Sequence, residues 1–183
     1  MAAANPIREK QLIYDIAGYL RKQNERDYIL FMLGIYSGLR ISDILKLKVS
    51  DVRGQDHFIV TEQKTGNVRK IIINPELQRE IAIYITGKDD EDYLIRSRES
   101  YNRPISRQRV NQILEDVGDK YKVHLTAHSL RKTFGYHFYV QYGERHALPM
   151  LMKIYGHSRE THTLLYIGVE QEYIDRTLRN FRF

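Results

Sequence analysis

The 183 residues of this chain are about one domain's worth, domains running roughly 100 to 200 residues, so a separate regulatory domain is not expected. With 42% hydrophobic and 28% charged residues and only 4 prolines, the chain has the make-up of a folded protein able to bury a core, not of a disordered tail. The absence of cysteine excludes a disulfide framework, a thiol nucleophile and any cysteine-ligated zinc or iron–sulfur site, while 29 Lys+Arg against 23 Asp+Glu, a net charge of +6, favours a polyanionic partner without identifying it.

Met1 to Asn5 reads as a flexible start outside the fold. From Ile7 to Lys22 the apolar residues Leu12, Ile13, Ile16, Ala17 and Leu20 recur with the 3.6-residue period of an amphipathic helix. A second helix, about 25–37, is apolar on most faces and belongs in the core. Gly38 breaks it, and a short helix with Ile41, Ile44, Leu45 and Leu47 follows. Between residues 57 and 74 the pattern becomes β-branched, with strands at Phe58–Thr61 and Val68–Ile73 joined by the turn residues Lys64-Thr65-Gly66-Asn67, as a hairpin requires. Pro75 opens a helix to about Ile85. The acidic loop 89–92 reads as solvated, and a short strand is predicted at Tyr93–Ile95. The rest is predicted helical: 106–117, 126–142, 145–155, 161–167 and from about 171. The expected fold class is α+β, a mainly α-helical single domain over 1–183 with a small antiparallel β-sheet. No run approaches the roughly 18 apolar residues of a membrane span, and no signal peptide is evident, so a cytoplasmic protein without a membrane partner is expected.

Within Thr126-Ala127-His128-Ser129-Leu130-Arg131, a Thr cap sets His128 and Arg131 three residues apart on one face of a helix's first turns, where both heads can meet one anion. The amides and dipole of that helix end add to the attraction for phosphate. Arg40 follows the glycine break at 38, a position where a guanidinium on the buried side needs an anionic partner; Asp43 is the candidate. Lys64 sits at the tip of the hairpin, on a stem able to carry an ammonium into a cleft. Gly156-His157-Ser158 is followed, nine residues after His157, by Tyr166. With 14 tyrosines in the chain, only spacing singles this one out.

Together, Ser37-Gly38-Leu39-Arg40-Ile41-Ser42-Asp43, Lys64-Thr65-Gly66, His128-Ser129-Leu130-Arg131, Gly156-His157-Ser158 and Tyr166 resemble, in order and approximate spacing, the catalytic domain of the tyrosine recombinases, the phage-integrase family of site-specific DNA recombinases. The resemblance runs from about residue 25 to 180 and implies the tyrosine-recombinase (DNA breaking–rejoining) fold. It implies that Arg40, Lys64, His128, Arg131, His157 and Tyr166 match the family's catalytic set, with Asp43 at a supporting acidic position. The residue types suit that chemistry. A phenol, with an ordinary pKa of about 10, attacks a phosphodiester only with proton removal and charge stabilisation. Arginine forks stay charged and bind non-bridging oxygens bidentately, and an imidazole is the side-chain type suited to acid–base exchange with a phenol, which makes His128 the candidate partner. His157 reads as a phosphate hydrogen-bond donor, and Lys64 is matched to the group that protonates the departing 5′-oxygen. A 3′-phosphotyrosine intermediate conserves bond energy, so no cofactor, ATP or metal is expected; the chain has neither a P-loop nor a His-Glu-x-x-His motif.

The arginine-rich stretch 96–109 supplies the expected DNA contacts: Arg96, Arg98, Arg103, Arg107 and Arg109, with Ser106 capping a helix whose N-terminus faces the backbone. The implied partner is double-stranded DNA, bound as a homo-tetramer, with a monomer in isolation. The C-terminal apolar residues Tyr173, Ile174 and Leu178 pack either in cis or on a neighbouring protomer. The resemblance also implies a bacterial or phage-encoded, nucleoid-associated protein. Two departures stand out: Tyr155 occupies a position where the family more often has Leu, and the separate N-terminal DNA-binding domain is expected to be absent from this chain. A half-clamp of this kind is expected to bind DNA weakly and with strong salt dependence. The alternatives are DNA relaxation of the type IB topoisomerase kind and a non-catalytic DNA-binding module retaining the fold.

Overall fold

Asn24 does two jobs in the computed structural model, which describes residues 4–61, 68–99 and 101–182. Its extended backbone ends helix α1 (Lys10–Gln23), and its side chain accepts the Arg26 amide to cap α2 (Glu25–Ser37). Helix α2 is buried along most of its length, from Asp27 to Gly34, as its all-round apolar surface requires. Helix α1 starts three residues later than its apolar period predicts. Ile7 gives its amide to Thr133 Oγ1 at 2.8 Å, and its carbonyl lies 2.9 Å from Nε2 of His137, so its backbone groups are spent on a distant helix instead of an α1 turn.

Past the left-handed Gly38 comes one short helix, α3 (Ile41–Ile44), then a 3₁₀ turn at Val49–Asp51. Strands β1 (His57–Thr61) and β2 (Val68–Ile72) pair antiparallel, from His57 with Ile72 to Thr61 with Val68. Phe58 is fully buried beneath this ribbon, whereas Ile59 and Ile72 stay exposed. The predicted turn, including Lys64, lies among residues 62–67, outside the described ones.

Helix α4 (Pro75–Tyr84) begins on Pro75 with an Asn74 cap. The acidic loop after it is exposed from Asp89 to Glu91, as expected, and its carboxylates also make surface ion pairs: Asp90 with Arg53, Glu91 with Lys48 and Asp92 with Arg96. Tyr93–Ile95 is no strand. It makes the isolated bridge Tyr93 to Lys48, and Arg96 makes another to Pro104; Pro104 has no N–H with which to extend a ladder.

Helices α5 (Arg107–Tyr121), α6 (Ala127–Tyr142), α7 (Glu144–Tyr155), α8 (Glu160–Ile167) and α9 (Glu170–Asn180) complete the chain. One apolar cluster joins α1, α2, α4 and α5; a smaller one joins α7, α8 and the end of α6. Helix α6 is shared, with Leu130 in the first cluster and Tyr139 in the second, so residues near its start sit at the seam. Each fully buried Leu or Ile there contributes roughly 1.5–3 kcal/mol of transfer free energy, which anchors α6 from both sides. No helix among the described residues is long and apolar enough to cross a membrane.

Candidate active site

The seam is organised by the turn at Gly38. Its φ of +62° is a left-handed conformation that suits glycine, and a Cβ there would lie 2.4 Å from Phe134 Cδ1. Ser37 braces the turn, its hydroxyl donating to Leu33 O at 2.6 Å and accepting from Leu39 N at 3.1 Å. The turn fixes two arginines. Arg131, only 6% exposed, donates from Nη1 to Gly38 O at 2.5 Å and stacks its guanidinium 4.5 Å from the centre of the Tyr155 ring. Tyr155 in turn donates its hydroxyl to Arg131 O at 2.8 Å. That approach needs Gly135, where a Cβ would lie 2.3 Å from the Tyr155 hydroxyl. Burial lowers the Arg131 pKa, but a guanidinium stays charged in proteins.

Arg40 is exposed and directs Nη2 toward Tyr155 O at 3.4 Å. This corrects the expected pairing with Asp43. Arg40 is not on the buried side, so water and an incoming anion can serve it and no carboxylate is needed. Among the described residues no ion pair joins the two; Asp43 accepts from the Ser42 hydroxyl at 3.4 Å and lies close enough to Arg131 to favour its charge.

Tyr166 stands on the last turn of α8, its hydroxyl 3.4 Å from His128 Nδ1. Its ring packs edgewise against those of Tyr155 (5.1 Å) and His157 (5.5 Å). Burial raises the Tyr166 pKa, opposed by the charge and hydrogen bonding of Arg131 and the charge of Arg40. His157, in the turn between α7 and α8, places Nδ1 3.0 Å from Thr163 Oγ1, which leaves its other ring nitrogen available. Burial, helped by the positive charges of Arg131, His162 and Arg40, lowers its pKa, so the neutral imidazole prevails at neutral pH.

These side chains converge on a cleft of about 460 Å³ lined by Arg40, His128, Arg131, Tyr155, His157 and Tyr166. Arg107, at the start of α5, lines it too, which joins one residue of the arginine-rich stretch to the site. Ser106 caps α5 by accepting Arg109 N at 3.0 Å. Arg96 and Arg98 border a separate cleft of about 740 Å³ with Arg26, Lys88 and Tyr101; Arg103 is exposed outside both. Lys64 lies outside the described residues. The sequence reading missed Lys132, whose ammonium lies 5.3 Å from the centre of the Tyr166 ring. It is four residues after His128, a spacing that puts it on the same helix face. Among the described residues no cluster of His, Asp and Glu is placed to hold a metal ion. Cationic donors around a phenol beside an imidazole can stabilise phosphoryl transfer to that phenol.

The same fold occurs in known proteins. The crystal structure of XerA recombinase superposes with a TM-score of 0.75 at 20% identity, covering 100% of this chain and 66% of that one. The fold is that of a tyrosine-recombinase catalytic domain. The family model described as the phage integrase family matches residues 7–172. The probable integrase/recombinase YoeC of Bacillus subtilis is 40% identical over 173 residues, 94% of this chain and 93% of that protein. The tyrosine recombinase XerA of Thermococcus onnurineus is 27% identical over 176 residues, 94% of this chain but 61% of its own length. The chain belongs to the phage integrase family.

Proposed function

We propose that this protein breaks and rejoins double-stranded DNA as a site-specific recombinase, with Tyr166 as nucleophile. The observation that carries the reading is the single cleft into which the Gly38 turn, α6, the α7–α8 turn and α8 deliver Arg40, His128, Arg131, His157 and Tyr166. The Tyr166 oxygen attacks the scissile phosphorus and passes its proton to His128. The bond from phosphorus to the 5′-oxygen breaks, leaving a 3′-phosphotyrosine, and Lys64 protonates the departing oxygen. Arg40 and Arg131 hold the non-bridging oxygens, where negative charge gathers, and His157 donates to one of them. The 5′-hydroxyl of another strand then attacks the phosphotyrosine, and the phenol recovers its proton. Energy stays in the phosphodiester, so the exchange consumes no ATP.

Arg96, Arg98, Arg103, Arg107 and Arg109 are all exposed and supply phosphate contacts along the duplex. Assembly on DNA as a tetramer is supported by helix α9, which packs Tyr173 against the smaller core while Ile174 and Leu178, and Phe181 beyond it, remain 43%, 68% and 61% exposed. A groove of about 410 Å³ with Ile72, Phe134, Phe138 and Ile154 in its walls offers an apolar seat for such a tail on a second protomer. Light scattering is expected to give a monomer in free solution and a larger assembly on a duplex carrying two sites. The site of action is the bacterial or phage-infected cytoplasm, at the nucleoid.

The test is a nicked suicide duplex, which traps the covalent intermediate because the released fragment diffuses away. The wild-type chain is expected to give an adduct that survives denaturant. Tyr166→Phe should abolish it while leaving DNA binding near normal; an undiminished adduct in that variant would exclude Tyr166 as the nucleophile.

A further inference from the structure

Residues Pro6 to Arg8 form no helix or strand, yet they are held by both helices that frame the site. The buried Ile7 gives its amide to Thr133 Oγ1 at 2.8 Å and receives His137 Nε2–H on its carbonyl at 2.9 Å. A carbonyl can only accept, so the Nε2 nitrogen of His137 carries the proton. Thr133 passes the chain of bonds onward, donating to Ser129 O at 2.7 Å within the first turns of α6, next to His128. Arg8 reaches the other helix. Its Nη2 donates to Gly168 O at 2.6 Å, and its guanidinium lies 5.1 Å from the centre of the Tyr136 ring on α6. Gly168 is the left-handed cap of α8, two residues beyond Tyr166. A cation on that carbonyl complements the negative end of α8.

We infer that residues 6–8 are a clasp that sets Tyr166 relative to Arg131 and His128, with Arg8 as the positioning residue. The inference rests on the reading of Tyr166 as nucleophile. Arg131 and His128 ride on α6, Tyr166 rides on α8, and Arg8 spans the two helices through one side chain. The distance from His128 to the Tyr166 hydroxyl, 3.4 Å, is at the outer edge of a hydrogen bond. A small loosening of α8 therefore breaks the proton path. Arg8 itself touches no reacting atom and acts through the end of α8.

The test uses the full chain with Arg8→Ala and Arg8→Lys. Without DNA, amide hydrogen exchange over residues 160–168 should accelerate several-fold in Arg8→Ala, with residues 25–37 unchanged. At saturating nicked duplex, adduct formation should slow by about fivefold, the effect of losing one cation from a helix C-terminus. DNA affinity should hold, and Arg8→Lys should recover most of the rate. Unchanged exchange over 160–168 would overturn the clasp. So would weakened affinity with an unchanged rate at saturation, which would make Arg8 a phosphate contact. A wild-type chain that forms no adduct would refute the functional reading alone, and exchange would still judge the clasp.

Discussion

At the scale of single residues, the two arginines differ in kind. Arg131 is buried and spends one donor on Gly38 O, whereas Arg40 is exposed. Arg131→Lys leaves a single ammonium to serve both the carbonyl and the phosphate, and a lysine lacks the planar fork. Single-turnover cleavage is expected to fall by at least about a hundredfold, the usual cost of removing one such transition-state donor. His157 makes a prediction about pH. Its folded-state pKa is lowered by burial and by the neighbouring positive charges. As pH falls through the ordinary imidazole value of about 6.5, the unfolded chain takes up the proton first. The contribution of this group to stability is therefore present above that pH and lost as pH drops toward the folded-state value. Thermal melts between pH 7.5 and 5.5 should show a smaller acid-side decrease in His157→Gln than in the wild type.

At the scale of elements, the Gly38 turn ties α2 to α6 at the site, its carbonyl accepting from Arg131. Gly38→Ala places a methyl into Phe134 at a left-handed φ and should cost about 2–4 kcal/mol, read by urea denaturation, with adduct formation lost beyond the loss of fold. Elements were legible in the sequence where their ends are local chemistry. Helix α2 was readable at its end because Gly38 stops it, and α6 at its start because Thr126 caps it. The start of α1 and the segment 93–95 were not, because the backbone there bonds to partners far along the chain: Ile7 to Thr133, Leu94 to Leu47, Ile105 to Ile95. The same divide runs through the site. Arg40, His128, Arg131, His157 and Tyr166 were readable from residue type and order. The Arg40–Asp43 pairing was misplaced because burial, which creates the need for a counter-charge, is set by tertiary packing. Lys132 and Arg8 were silent for a similar reason: what they do depends on which helix comes to lie beside them.

At the scale of the whole molecule, a net charge of +6 and exposed arginines from 96 to 109 predict electrostatic DNA binding. Raising salt from 50 to 200 mM should weaken binding to a labelled duplex by at least about a hundredfold, measured by fluorescence anisotropy; affinity indifferent to salt would contradict a phosphate-dominated interface. The chain spans nearly all of its Bacillus relative and 61% of the Thermococcus one. The described cleft gathers the Tyr166 phenol, the imidazoles of His128 and His157 and the guanidiniums of Arg40, Arg107 and Arg131 within one fold. The most direct measurement is to trap the adduct on nicked DNA, digest both polymers and sequence the nucleotide-bearing peptide by mass spectrometry. The account predicts a 3′-phosphonucleotide on Tyr166; finding it on Tyr155 or Tyr173, or finding no modified peptide, would contradict it.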